Sequence, residues 1–210
     1  MKILDDYKNI KEELIFKNNY FMEEYLSRFN QSLGNASSLE QCVLLEYIVK
    51  NSGVESILDT GSGISTCFIR KGKLETQIVH TYETKVEWIQ NVKSYLNSNG
   101  LYEDNIFHVF DETNKLKEEY KQSDTQYDLI YHDMGCIEER IESLPYIAKK
   151  LKTNGYIILD DMHFGDNVNI ECNLLKATTD YFNNSNYQFI DIKNITIDNF
   201  NRFAYMYKKL

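Results

Sequence analysis

The sequence predicts an α/β fold, a mostly parallel seven-stranded sheet with helices on both faces and an antiparallel C-terminal edge hairpin. Two observations predict it: short apolar runs alternate with segments of helical spacing from residue 55 onward, and the last two runs lie close together. The chain of 210 residues, 42% of them hydrophobic, is long enough for one substantial core. Ligands of such sheets bind beyond the carboxyl ends of the strands, where we expect the site.

The first 36 residues are predicted to form a helical element of their own. Apolar residues recur at helical spacing from Tyr7 to Phe29, and the segment 33–36 interrupts the pattern. Ser37 and Glu40 then match a capping box that opens a second helix. We expect residues 1–36 to be a lid or dimerisation element, with simple packing against the sheet as the alternative, and residues 37–210 to be the ligand-binding domain.

Strands and helices alternate through the rest of the chain. Apolar runs rich in β-branched and aromatic residues predict strands at 55–59, 77–82, 106–110, 127–131, 156–159, 187–192 and 202–207. Apolar residues three and four apart predict helices around 67–69, 86–95, 141–147 and 170–182. Helix-linked strands of this kind form a parallel sheet with right-handed crossovers.

Charge and composition exclude several classes of partner. A formal net charge of −9 argues against binding to nucleic acid or to an anionic membrane surface, and no apolar run is long enough to span a bilayer. The N-terminus has no continuous apolar core for secretion, and the four cysteines form no CxxC pair. We therefore expect a cytoplasmic protein with reduced thiols and a small-molecule substrate, and a homodimer as the commonest assembly.

A glycine-rich turn follows the first predicted strand. Gly61 and Gly63 permit a tight turn and a close approach of a ligand to the backbone. The amides at the start of the next helix, with the Ser62 and Ser65 hydroxyls, suit a carboxylate, and Asp59 suits an ammonium group. The alternative is a turn that only needs glycine.

An acid at the end of the second predicted strand supports the hypothesis that the glycine-rich turn binds a ligand. Glu83 lies about twenty residues beyond the turn, where a carboxylate accepts hydrogen bonds from both hydroxyls of a ribose. Thr66 stands where a dinucleotide fingerprint has its third glycine, and no Tyr-x-x-x-Lys pair follows the fourth strand. Both features disfavour an NAD-dependent dehydrogenase, which stays an alternative.

Three further acids follow the fourth and fifth predicted strands. Asp133 ends one and Asp160 and Asp161 end the other, so parallel strands bring all three to one sheet edge. Like charges at such short distances must be compensated by a proton, by hydrogen bonds or by a cation. Oxygen ligands suit Mg²⁺ or Ca²⁺ better than zinc. The alternative is a metal-free site in which Asp133 orients the substrate.

With these residues in place, the chain resembles the class I S-adenosylmethionine-dependent methyltransferases over residues 37–207. The turn from Gly61 to Thr66 resembles that of small bacterial enzymes that methylate hydroxyls of metabolites and sugars. The resemblance implies a Rossmann-like fold with S-adenosylmethionine as the cofactor. It places the predicted turn residues around the methionine part of the cofactor, Glu83 at the ribose, and Asp111 or Glu112 near the adenine; Asp133 is expected beside the cofactor as well.

The three aspartates are similar to the metal ligands of catechol O-methyltransferase and its relatives. The resemblance implies that Asp133, Asp160 and Asp161 hold Mg²⁺, which would bind the acceptor oxygens and lower a hydroxyl pKa. This chain departs from the pattern, because neither a lysine nor a histidine follows Asp133 as a general base. His132 is expected to point away, so the predicted catalytic groups are Asp133 and His163, with an exposed loop histidine as the alternative for His163.

These expectations converge on a methyltransferase that acts on a small polar metabolite or sugar, at a hydroxyl and with metal assistance. An N-methyltransferase or an aminopropyl transferase would share the fold and use the acids to neutralise an amine. A protein that binds S-adenosylmethionine without turnover is the non-enzymatic alternative.

Overall fold

A computed structural model describes residues 2–101, 107–109, 124–162 and 168–210. Its helices are α1 (Lys2–Arg28), α2 (Leu39–Asn51), α3 (Ile64–Gly72), α4 (Val86–Ser98), α5 (Ile137–Lys149), α6 (Val168–Asn183) and α7 (Lys193–Thr196). Its strands are β1 (Ser56–Thr60), β2 (Ile78–Glu83), β3 (Phe107–Val109), β4 (Tyr127–His132), β5 (Leu151–Leu159), β6 (Tyr187–Ile190) and β7 (Tyr205–Lys209).

The strands form a mixed sheet in the order β3-β2-β1-β4-β5-β7-β6. The pairs from β3 to β5 are parallel, whereas β7 is antiparallel to both β5 and β6. This arrangement confirms the predicted α/β class, and β6 and β7 do pair antiparallel. They are joined through α7 rather than by a tight turn, and β7 lies between β5 and the edge strand β6.

Helices cover both faces of the sheet. Successive strand residues point to opposite sides, so Ile57 of β1 packs in one hydrophobic cluster and Leu58 in the other. The first cluster contains buried residues of α1 to α4, and the second contains those of α5 and α6. The sheet core is therefore buried on both sides, which leaves its carboxyl edge as the place for a site.

Helix α1 contributes to the first of these clusters. Tyr7, Met22 and Tyr25 are buried there, and the Tyr95 hydroxyl of α4 donates to the Phe21 carbonyl at 2.6 Å. The N-terminal element thus packs on the helical layer of the domain. A further role as a lid or a dimer contact stays a prediction.

The cap of α2 differs from the prediction by one residue. The Ser38 hydroxyl, not that of Ser37, accepts a hydrogen bond from the Gln41 amide, at 3.2 Å. The helix begins at Leu39, so Ser38 and not Ser37 occupies the N-cap position. The predicted box of Ser37 with Glu40 is therefore wrong, and the Ser37 hydroxyl instead lies 3.0 Å from that of Tyr131, on β4.

Strand β5 begins five residues earlier than the predicted strand at 156–159. The segment from Lys152 to Gly155, which has the composition of a turn, continues the strand with a register shift against β4 between Tyr127 and Leu129. Asn154 adopts a positive φ of 67°, a conformation that asparagine tolerates better than most residues. Within the described ranges, no helix has the length and apolar character needed to cross a bilayer.

Candidate active site

A cavity of about 780 Å³ opens at the carboxyl ends of β1, β2, β4 and β5. It brings together most of the residues that the sequence singled out: Gly61, Ser62, Gly63, Ser65, Glu83, Asp133, Asp160 and Asp161 all line it. Asp59 is not among the described lining residues. Asp111, Glu112 and His163 lie outside the described residues, so their predicted roles stay predictions.

The glycine turn requires glycine at residue 61 for two reasons. Gly61 has a φ of 94°, a region that side-chain-bearing residues rarely adopt, and its amide donates to the Tyr82 carbonyl at 2.9 Å. A β-carbon at this residue would lie 2.6 Å from the Asp133 carbonyl oxygen. The turn therefore presses directly against the end of β4, which sets the floor of the cavity.

Glu83 ties this turn to the end of β2. One of its carboxylate oxygens accepts the Ser62 amide at 2.7 Å, and the other accepts the amides of Thr84 and Lys85 at 2.7 and 3.0 Å. The carboxylate is held by three backbone donors and still borders the cavity. The Ser62 hydroxyl is buried beside it with no hydrogen-bond partner among the described residues.

Asp59 lies beneath the turn rather than in the cavity wall. Its side chain is fully buried and accepts a hydrogen bond from the Thr81 hydroxyl at 3.0 Å. Burial raises the pKa of its carboxyl to about 7, although the nearby Arg70 guanidinium acts in the opposite direction. Asp59 thus joins the ends of β1 and β2 through Oδ2, while its buried Oδ1 has no hydrogen-bond partner among the described residues. The predicted contact between Asp59 and a ligand's ammonium group stays a prediction.

The three aspartates predicted as metal ligands do lie at one end of the cavity, but two of them, Asp133 and Asp161, pair with an arginine. Arg140 of α5 places Nη2 2.8 Å from Asp133 Oδ1 and Nη1 2.7 Å from Asp161 Oδ2. Its Nε donates to the Met134 carbonyl at 3.3 Å. Burial raises the pKa of Asp133 well above its usual range, with Arg140 opposing the rise and Asp160 adding to it.

Asp160 is held by a separate set of donors. Its Oδ2 accepts the Tyr131 hydroxyl at 2.8 Å and its Oδ1 accepts the Asp161 amide at 2.7 Å. Burial, then the charge of Asp161, raises the pKa of the Asp160 carboxyl. Asp161 has a φ of 56°, and its ion pair with Arg140 helps to hold this backbone conformation.

The donor set does not fit the predicted divalent metal. Two of the three carboxylates already pair with a permanently charged guanidinium, and the third accepts hydrogen bonds from neutral donors. In the described part of the chain, no group of three or more His, Cys, Asp or Glu side chains is arranged to hold a metal ion. The metal expectation is corrected accordingly: the cation among these carboxylates is Arg140.

His132 points away from the cavity, as the alternation along β4 predicts. Its Nδ1 lies 2.7 Å from the Thr60 hydroxyl and its Nε2 3.2 Å from the Arg140 carbonyl oxygen. Burial lowers the pKa of the imidazole to about 4, so the ring is neutral at physiological pH. Through these contacts His132 joins β4 to the end of β1 and to α5.

Arg140 was not among the predicted site residues, although its place in the helical pattern could have indicated it. Residues Ile137, Ile141 and Leu144 mark the apolar face of α5, and Arg140 lies on the same face, three residues from one and four from another. A charged residue on a core-facing stripe needs a buried partner. Ser37 and Tyr131 were missed as well, because their contacts with Asp133 and Asp160 join distant parts of the chain.

Comparisons with known proteins bear on the fold. No family model matches the sequence, and no curated protein matches it. Solved structures do match: the O-methyltransferase TomG from Streptomyces achromogenes, in complex with S-adenosylmethionine, has a TM-score of 0.69 at 12% identity over 89% of this chain and 86% of that one. The chain has the fold of the class I S-adenosylmethionine-dependent O-methyltransferases.

Two further structures with this methyltransferase fold agree. An O-methyltransferase from Bacillus cereus, in complex with S-adenosylhomocysteine, has a TM-score of 0.68 at 16% identity, covering 95% of this chain and 90% of its own. The methyltransferase PaMTH1 from Podospora anserina, with S-adenosylhomocysteine bound, has a TM-score of 0.70 at 15% identity over 100% and 96%. At such identities the likeness concerns the fold, and the chemistry must be argued from the site.

Proposed function

We propose that this protein is an S-adenosylmethionine-dependent methyltransferase that methylates a hydroxyl of a small polar metabolite or sugar. The observation that carries the proposal is the contact between Glu83 and the Ser62 amide, at 2.7 Å. It joins the glycine turn and the acidic end of β2 into one wall of the cavity, the arrangement that suits a nucleoside bearing a charged side chain.

The described residues fit this cofactor. The cavity volume of about 780 Å³ suits a ligand of that size, and the unpartnered Ser62 hydroxyl offers a buried polar contact. Within the proposal, the turn from Gly61 to Ser65 holds the methionine part and Glu83 the ribose. The Trp88 ring, 3.9 Å from the position of a β-carbon on Gly63, flanks the turn.

The cofactor supplies an activated methyl group on a sulfonium, and the protein's share is to position the acceptor. Methyl transfer is a direct displacement, so alignment of the acceptor oxygen contributes most of the acceleration. Asp133 borders the cavity and is the described group best placed to take the hydroxyl proton. Its Oδ2 accepts the Ser37 hydroxyl at 3.1 Å and, more weakly, the Tyr131 hydroxyl at 3.5 Å, while its Oδ1 pairs with Arg140.

The segment before α2 supplies a further part of the cavity wall. Gln31, Gly34, Ala36 and Ser37 all border the cavity. Within the proposal, the N-terminal element covers the acceptor side of the site, and these residues help to select the acceptor. Within the proposal, the protein is cytoplasmic with reduced thiols, among them the buried Cys42 and Cys67.

Calorimetric titration with S-adenosylmethionine, S-adenosylhomocysteine and NAD tests the cofactor. We expect the first two to bind to the wild-type protein, and Glu83→Gln to weaken them about 10-fold or more, since a neutral amide replaces the carboxylate. Glu87→Gln, an exposed change four residues on, is the matched control and should leave the affinity unchanged. Thermal melts of both variants verify the fold.

The outcomes separate the alternatives. Binding of NAD without S-adenosylmethionine would sink the methyltransferase proposal and restore the dehydrogenase. With the cofactor bound, methyl transfer measured across hydroxyl and amine acceptors distinguishes O- from N-methylation. Tight binding with no transfer to any acceptor class would favour the non-catalytic binding protein.

A further inference from the structure

Arg140 links the two strand ends that form the acceptor side of the cavity. Asp133 follows β4 and Asp161 lies two residues beyond β5, and the guanidinium of α5 gives one nitrogen to each, at 2.8 and 2.7 Å. The Nε contact with the Met134 carbonyl fixes the plane of the group. One side chain thereby connects a helix and two strand ends around a single positive charge.

This charge is placed where three carboxylates would otherwise repel one another. The Arg140 side chain is 10% exposed, and those of Asp133 and Asp161 are 20% and 29% exposed. Like charges in so little solvent raise the free energy of the folded state unless a cation compensates them. An arginine stays charged at every working pH, so the compensation needs no external ion.

We propose that Arg140 is a positioning residue that takes the place of a divalent cation, so that the site works without metal. It pairs with two of the three carboxylates and orients Asp133 toward the acceptor. The part that concerns the acceptor rests on the proposed function, whereas the part that concerns metal binding stands on the geometry alone. Because a guanidinium has no vacant coordination positions, the acceptor needs no pair of adjacent oxygens to chelate.

The test is to remove the guanidinium and ask whether the site becomes a metal site. Arg140→Met keeps much of the stem and leaves Asp133, Asp160 and Asp161 facing one another. Titration with Mn²⁺, followed by calorimetry and by the shift in melting temperature, is the readout and needs no substrate. We expect wild type to show no detectable binding at this site, and the variant to bind Mn²⁺ with an affinity about 10-fold or more above the detection limit.

Three further variants make the result specific. Arg140→Met combined with Asp161→Asn should lose the gain, because one carboxylate is missing. Arg140→Lys should remain metal-free, since an ammonium keeps the charge in place. Arg28→Met, a change at an exposed arginine, is the matched control and should bind Mn²⁺ no better than wild type.

The outcomes keep this proposal separate from the proposed function. If wild type binds Mn²⁺ and Asp133→Asn or Asp161→Asn abolishes that binding, the proposal is overturned. An Arg140→Met protein that is folded yet gains no affinity also overturns it; if the variant is unstable, rescue of its melting temperature by Mn²⁺ supports the proposal and absence of rescue contradicts it. Failure of S-adenosylmethionine to bind would sink only the proposed function.

Once an acceptor is known, its turnover gives a second readout. We expect wild-type methyl transfer to be unaffected by a chelator or by added Mg²⁺. Arg140→Lys should retain more activity than Arg140→Met, mainly through kcat, because Asp133 is less well oriented. Loss of wild-type turnover on chelation, restored by Mg²⁺, would contradict the proposal.

Discussion

The α-carbon of Gly61 faces the backbone carbonyl of Asp133 so closely that a β-carbon there would lie 2.6 Å from the oxygen. This contact couples the glycine turn after β1 to the acidic end of β4. The two halves of the cavity, the turn that we assign to the cofactor and the aspartates that we assign to the acceptor, are therefore held in register by backbone atoms. Because the atoms of Asp133 that face Gly61 belong to the backbone, no change of side-chain rotamer relieves the contact.

Replacement of Gly61 by alanine should destabilise the fold and weaken cofactor binding. The variant must carry a side chain at a φ of 94° and also displace the backbone at Asp133, at a cost of roughly 2–4 kcal/mol. Gly53→Ala is the matched control, because Gly53 also has a positive φ, 74°, but nothing lies within 4 Å of its β-carbon position. Urea unfolding of both variants should show the larger loss at Gly61; equal losses would mean that the contact is not decisive.

Tyr131→Phe should destabilise the protein by roughly 1–3 kcal/mol, because it deprives buried polar groups of their partner. The hydroxyl donates to Asp160 Oδ2 at 2.8 Å and accepts from the Gln41 side-chain amide at 2.9 Å. Tyr20→Phe, at an exposed tyrosine of α1, should be nearly neutral. Chemical denaturation measures both, and a neutral result at Tyr131 would show that water replaces the hydroxyl.

His132 should make stability fall as the pH drops from about 6.5 to about 4. Its folded-state pKa is lowered to about 4 by burial, so the unfolded chain binds the proton first over this range. The contribution is complete above pH 6.5 and is lost as acid is added, by roughly 3 kcal/mol in all.

His132→Gln removes this titration and keeps an amide near the Thr60 hydroxyl. The unfolding free energy of wild type minus that of the variant should therefore fall by roughly 3 kcal/mol between pH 6.5 and pH 4, whatever the absolute cost of the substitution, since all other acids titrate in both. An NMR signal assigned to the His132 imidazole that titrates near pH 6.5 in the folded protein would refute the lowered pKa of this residue.

The fold and the location of the candidate site could be predicted from the sequence, because both follow from local patterns. Alternating apolar runs predicted the sheet, and the glycines and acids at strand ends predicted which loops meet. The nature of the acidic cluster did not follow, since the three aspartates are equally consistent with a metal and with a guanidinium. Arg140 lies on another element, and only the packing of α5 brings it between Asp133 and Asp161.

Asp59 shows the same limit in another form. Its place at a strand end suggested a ligand contact, yet the register of β1 with β2 pairs it with Thr81, whose hydroxyl donates to it. The direction of a side chain at the last residues of a strand depends on where the turn begins. A shift of one residue exchanges the cavity for the core.

Arg202 should hold residues 31–37, the segment that we assign to the acceptor side of the cavity, in place. Its guanidinium donates to the carbonyls of Leu33, Gly34 and Ala36 at 2.9, 3.2 and 2.6 Å, and pairs with Asp198 at 2.7 Å. Arg202→Lys keeps the charge but cannot reach all three carbonyls with one ammonium group. We expect amide hydrogen exchange in residues 31–37 to accelerate about 10-fold or more while the sheet stays protected.

The same variant tests whether the N-terminal element acts as a lid. If the segment covers the acceptor, Arg202→Lys should weaken acceptor binding more than cofactor binding, because Glu83 and the Gly61 turn, which we assign to the cofactor, lie outside this segment. Arg28→Lys is the control and should change neither affinity, because the Arg28 guanidinium is exposed and contacts Ser94, Ser98 and the Phe29 ring. Faster exchange with equal loss of both affinities would mean that the segment supports the whole cavity, and unchanged exchange would mean that Arg202 does not anchor it.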